Sequence, residues 1–248
     1  MAISVREGGA CRQSEMVTRR TQPNPLVTAP TILRVAKRLM LWLSRSRNVD
    51  GLWVGSMEGQ PWLGLRRVED ALALIKQHDP LNYSRICRNL ERIWVDILPD
   101  AIAHYDRSLN ACVFDQRFVL AETTTLGSIA ASIVHEATHA RLERCGIKYE
   151  EKLRPRIEAV CVGRELAFAS KLPDGVELQE QRAYARQWYE ANADYFSDAR
   201  FRQRNTRGRI KALRYLGMPD WFIRAAARIK RVRGLFRSRP TGRRNGSP

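Results

Sequence analysis

"SIVHEATHARL", residues 132–142, sets two of the chain's four histidines four positions apart, with a glutamate beside the first. Helical periodicity runs through this stretch from Thr125 to Arg144. Leu126, Ile129, Ala130, Ile133, Val134 and Ala137 form a wide apolar face, so the pattern predicts a helix buried for much of its length. Threonines 123–125 suit its N-cap, Arg141 and Arg144 complement the negative end of its dipole, and Gly146 is a natural stop. On such a helix, positions i and i+4 lie on one side, one turn apart. His135 and His139 are so related, and their imidazole nitrogens can meet one Zn2+ at about 2.0–2.1 Å. Glu136 projects about 100° round the axis, off the ligand face but within reach of a water held by the ion. Two ligands and one general base then come from five residues. The plainer reading, two histidines on a polar helix by accident, fits poorly with the caps and the apolar flanks.

The surroundings of this helix suggest a small sheet. "ILPDAIAHYDRSLNACVFDQRFVLAE" (97–122) reads as a hairpin, with strands at Ala101–Tyr105 and Ala111–Phe114 around the turn-prone "DRSLN". A further extended piece is expected around Phe118–Leu120. Earlier, "NVDGLWVGSMEGQPWLG" (48–64) reads as a loop or short hairpin and 65–78 as a helix. After the Asp79-Pro80 break, "LNYSRICRNLERIWV" reads as helical to about Val95. Beyond the motif a helix opens at Pro155, and helical pattern continues to about Gln203. The expected class is α+β, predominantly helical, with a small sheet against the motif helix.

His135-Glu136-Ala137-Thr138-His139, preceded by apolar Ile133-Val134, resembles the motif of the zincin metallopeptidases. The likeness covers roughly residues 97–170. It implies a small twisted sheet over the motif helix and a peptide substrate lying antiparallel to an edge strand. It also implies peptide-bond hydrolysis by a zinc-activated water, with Glu136 as general base. Arg141 departs from the pattern, since many zincins carry an apolar side chain there.

A metzincin continuation is absent, so the gluzincin-like arrangement is the nearer one, with a glutamate from a following helix as third ligand. Glu158, 19 residues past His139, is the first choice. Glu165 lies on the same face of that helix and is the second, either as a ligand or as a group orienting one. Glu190 and Asp194 reproduce the E-x-x-x-D spacing of some gluzincins, whereas Glu158 lacks such a partner because position 162 is valine. Plainer roles exist for these residues: Glu165 could pair with Arg164 or Arg141, and Glu190 could simply face solvent. Tyr149, Arg156 and Arg164 are candidates to stabilise the oxyanion.

Charge divides the chain into three parts. Residues 1–48 hold 9 basic and 2 acidic side chains, residues 49–200 hold 19 and 23, and residues 201–248 hold 15 and 1. The net +17 is therefore a mildly acidic body with two cationic arms. On this basis 1–48 is read as a basic arm with a short amphipathic helix, 49–203 as the catalytic domain, and 204–248 as a basic helix and tail. In "TILRVAKRLMLWLSRSR" (31–47), Ile32, Val35, Leu39 and Trp42 recur at helical spacing among Arg34, Lys37, Arg38 and Arg45. Packing on the core with the cations facing water competes there with adsorption to an anionic membrane surface. A second amphipathic helix is expected from Pro219 to about Phe236. Nucleic acid is a further partner for such charge, but no recognised binding motif accompanies it.

Five scattered cysteines without a CxxC pair point to reduced thiols in a cytosolic setting, and argue against a cysteine-based metal site. No apolar run approaches the length of a membrane span, and the first twenty residues lack the apolar core of a secretory signal. These features suggest a cytoplasmic protein, with the inner face of the membrane as a place the arms could hold it. Two functions compete on sequence alone: a zinc metallopeptidase acting on peptides or proteins, and a non-catalytic basic adaptor for anionic membrane or nucleic acid.

Overall fold

A computed structural model of the protein describes residues 31–57 and 61–224. The class is α+β. Helix α1 (Thr31–Leu43) leads into a hairpin of β1 (Arg45–Val49) and β2 (Leu52–Ser56). Asp50 and Gly51 both take positive φ, 51° and 88°, which lets a two-residue Asp-Gly turn follow the twist of its strands. Helices α2 (Pro61–His78) and α3 (Pro80–Asn89) return the chain to β3 (Arg92–Asp96). A second hairpin follows, β4 (Ala103–Asp106) and β5 (Ala111–Asp115), then a short α4 (Gln116–Leu120) and the motif helix α5 (Leu126–Arg144). After it come α6 (Arg154–Ala169), α7 (Val176–Ala191), a 3-10 turn (Ala193–Phe196) and α8 (Asp198–Tyr215).

The strands form one mixed sheet in the order β1-β2-β3-β5-β4. β3 runs parallel to both neighbours, β2 and β5, while β1 and β4 are antiparallel edges. Alternation along the strands sorts side chains onto two faces. Ile93, Val95, Cys112 and Phe114 join the main core with residues of α2, α3 and α5. Trp94, Ala111 and Val113 face the other way and gather with Leu98, Leu109 and Leu41 of α1. The sheet thus lies between α1 and the α2–α5 layer.

Two expectations are corrected. Residues 92–96 are the central strand β3 and not the end of a helix: α3 stops at Asn89, and Leu90 is extended. Ile93, Trp94 and Val95 are all buried because both faces of the sheet are covered, so no polar alternation marks the strand. Residues 118–120 belong to helix α4 instead of a strand, capped by the Asp115 carboxylate accepting from the Arg117 amide. The boundary drawn from charge at residue 48 falls inside β1, and the one at 203 falls inside α8. The C-terminal helix begins at Asp220. Its continuation past Arg224, and everything before Thr31, lie outside the described residues.

The basic helix α8 is anchored close to the sheet. Gly208 is buried, and a Cβ built there would lie 1.5 Å from the Pro99 carbonyl oxygen, while Arg204 pairs with Asp100 at 3.3 Å. Gly208→Ala is therefore expected to push α8 off the 99–100 segment, lowering stability by roughly 1–3 kcal/mol in a denaturation experiment. An unchanged midpoint would mean that α8 is not seated there.

Candidate metal centre

α5 forms as its sequence predicts. The Thr125 hydroxyl accepts from the Ser128 amide, Cys145 closes the last turn, and Gly146 follows at φ 81°. Ile129, Ile133, Ala130, Ala131, Val134, Ala137 and Ala140 are buried against α2, α3, α6 and the sheet. Removing Ile129 and Ile133 from water contributes about 1.5–3 kcal/mol each. A helix gripped on so many sides fixes the direction of its polar residues.

His135 and His139 aim at a common point. Their Nε2 atoms are 3.0 Å apart, with ring centroids 4.9 Å apart. α6 supplies the facing groups. Glu158 brings one carboxylate oxygen to 3.2 Å from His135 Nε2 and the other to 3.5 Å from His139 Nε2. Cys161, one turn further along α6, places its sulfur so that His135, His139 and Cys161 each present a ligand atom within 4.8 Å of the others. These three could hold a metal ion. Against the expectation of no cysteine-based metal site, Cys161 stands fully buried beside the imidazoles. Its i+3 relation to Glu158 was the available signal, hidden because a lone thiol between valines reads as core.

Glu165 is an orienting group in this arrangement. Its carboxylate bonds His135 Nδ1 and leaves Nε2 facing the common point. The other oxygen of Glu165 lies 2.7 Å from Arg182 Nε on α7, so its ion pair is with Arg182 and with neither Arg164 nor Arg141. A carboxylate behind a metal-facing imidazole fixes both tautomer and ring orientation. Arg182 was not anticipated, because nothing local ties it to residue 165.

Glu136 is buried, 100° round α5 from the histidines, against the edge strand β4. Burial pushes its carboxyl up to about 7. The charges of Glu158 and Glu165 raise it too, while His135 and the Tyr105 backbone amide pull it down. Burial also holds the His139 imidazole down at about 4, helped by the neighbouring His135. For His135 burial acts the same way, but Glu165 and Glu158 outweigh it and hold the ring well above its usual value. Burial works against ionisation of Glu158, yet its bonds to His135 and Tyr149 and the two imidazoles hold it near 2.

Of the other predicted candidates, Tyr149 alone reaches the centre. Its hydroxyl donates to Glu158 at 2.5 Å and its ring meets His139 edge-on. Arg156 is exposed, and Arg164 lines a separate cleft with Arg141 and Arg85. Glu190 and Asp194 are not brought to the site: Glu190 pairs with Arg186 and Asp194 with Arg200, all on the surface. No family model matches the chain, and neither a curated protein nor a solved structure matches it.

Proposed function

We propose that the protein is a zinc-dependent hydrolase of zincin-like design, in the first instance a metallopeptidase. The observation that carries this reading is the convergence of His135, His139 and Glu158 beside a buried Glu136. The donor set fits the ion: two imidazole nitrogens, a carboxylate and a neighbouring thiol are the ligand types zinc takes. His135, His139 and Glu158 would hold it, and zinc bound there supplies Lewis acidity that makes water nucleophilic near neutral pH.

The chain's own groups supply the rest. Glu136, buried beside the histidines, is placed to take a proton from the attacking water and return it to the leaving nitrogen. Its carboxylate is held by the Tyr105 backbone amide. The Tyr149 hydroxyl is placed to donate to a developing oxyanion once it leaves Glu158.

β4 offers an edge for an extended peptide. Asp115 donates its amide to the Ile102 carbonyl, so in the β4–β5 register residues 102, 104 and 106 face β5. The backbone groups of Ala103 and the Tyr105 carbonyl then point away from β5, while the Tyr105 amide is taken by Glu136 on α5. Strand addition there gives affinity through main-chain hydrogen bonds.

Digestion of an unbiased peptide mixture, read by mass spectrometry, tests the activity. Cleavage should vanish with chelator and return with zinc. Failure to find any metal-dependent cleavage would leave the basic-scaffold alternative. The third ligand is tested separately by zinc affinity. Glu158→Gln should weaken binding by more than about 100-fold, while Cys161→Ser should change it by less than about threefold, as for a neighbour outside the ligand set. The reverse pattern would give the third position to the thiolate.

A further inference from the structure

We propose that α1 seats the protein on an anionic phospholipid surface through an apolar stripe turned outward from the fold. The helix docks with its polarity reversed relative to the ordinary expectation. Lys37, Leu41 and Ser44 face inward. Lys37 reaches Asp106 at 2.5 Å, Leu41 packs on the cluster around Trp94, and the Trp94 indole donates to the Ser44 hydroxyl at 3.2 Å. The opposite side carries Val35, Leu39, Trp42 and Leu43 at positions i, i+4, i+7 and i+8. Their exposures are 60%, 54%, 79% and 57%. The alternative in which the cations face water and the apolar residues face the core is therefore overturned at Lys37.

An exposed stripe of four large apolar side chains on one helix marks an interaction surface. Its charge setting selects the occupant. Residues 31–49 hold Arg34, Lys37, Arg38, Arg45 and Arg47, and no acidic residue. Arg38 lies on the exposed side of the helix, and Arg45 is exposed on the edge strand that follows. Among the described residues neither forms an ion pair. An apolar stripe with a tryptophan, bordered by arginines, matches the interface of an anionic bilayer: the indole and the aliphatic side chains enter the acyl boundary and the guanidinium groups meet phosphates. No helix among the described residues is long and apolar enough to cross a membrane, so the contact is one of adsorption.

Flotation of the full chain with vesicles of phosphatidylcholine, alone or mixed with phosphatidylglycerol, tests this. Residues 201–248 carry net +14 and will draw the protein to anionic lipid on their own. The deciding arm is therefore run at about 1 M salt, where screening shortens to about 3 Å and apolar insertion remains. Wild type should partition onto mixed vesicles under both conditions. The L39S/W42S variant should lose at least about tenfold in high-salt partitioning with an unchanged melting midpoint, as expected for two exposed residues. In vesicles of brominated lipid, wild type should show a quenched tryptophan component that Trp42→Phe lacks. This second readout decides even if the double variant misfolds. Equal partitioning of wild type and L39S/W42S, or quenching unaffected by Trp42→Phe, would overturn the proposal. So would absence of lipid binding together with a wild-type dimer that L39S/W42S converts to monomer, which would give the stripe to a second copy.

Discussion

His139→Ala is expected to leave the purified protein without zinc. Its Nε2 is one of two imidazole nitrogens 3.0 Å apart, and no other histidine among the described residues approaches that point. Loss of a group that merely orients a ligand weakens metal affinity by about 10–100-fold, so loss of a ligand itself should exceed about 100-fold. Metal analysis after dialysis against trace zinc reads the effect directly. Stoichiometric zinc in the variant would remove the foundation of the hydrolase reading, because the pair would then not be the metal's anchor. Control of fold comes from circular dichroism, since α5 is held by its apolar faces and caps and not by the imidazole.

Glu136→Gln should separate chemistry from binding. The amide keeps an acceptor for the Tyr105 amide but cannot take a proton. Turnover is expected to fall about 10²–10⁴-fold while zinc content stays at the wild-type level. The same variant makes a stability prediction in the metal-free protein. The Glu136 carboxyl sits at about 7 in the fold against 4.5 for an ordinary glutamate, with burial as the main cause. A raised folded-state pKa means its contribution is complete below 4.5, declines as pH rises from there to 7, and stays lost above. Glutamine does not titrate. Variant and wild type should therefore match near pH 4, and at pH 8 the variant should be more stable by about 1–3 kcal/mol. Denaturant titrations of metal-free protein at the two pH values check this. A variant less stable than wild type at pH 8 would show that the carboxylate is well solvated or paired in the fold.

The α5 helix was legible to its ends because every local rule agreed: apolar spacing, a threonine cap, terminal arginines, and a glycine that accepts positive φ. The β4–β5 hairpin was legible for the same reason. The failures lie where tertiary cover erases the local pattern. Ile93-Trp94-Val95 is buried on both faces, so a three-residue apolar run could not be told from the end of a helix. The orientation of α1 was hidden because its alternatives, cations outward or apolar side chains outward, share one sequence; Asp106, 69 residues from Lys37, decided between them. In the site, the His135–His139 pairing follows from helical spacing, whereas Glu158 stood first among three acidic candidates that spacing alone did not separate. Arg182 and the edge-strand contact of Glu136 depend on how α7 and β4 pack, which no local pattern carries.

The sheet that separates α1 from the α5–α6 side also sets a direction. A molecule resting on lipid through α1 would hold its histidine pair on the face of the sheet away from the bilayer. If the centre cleaves peptides as proposed, its substrates would then have to stand clear of the bilayer or diffuse in from solution, and a segment lying within the lipid would stay out of reach.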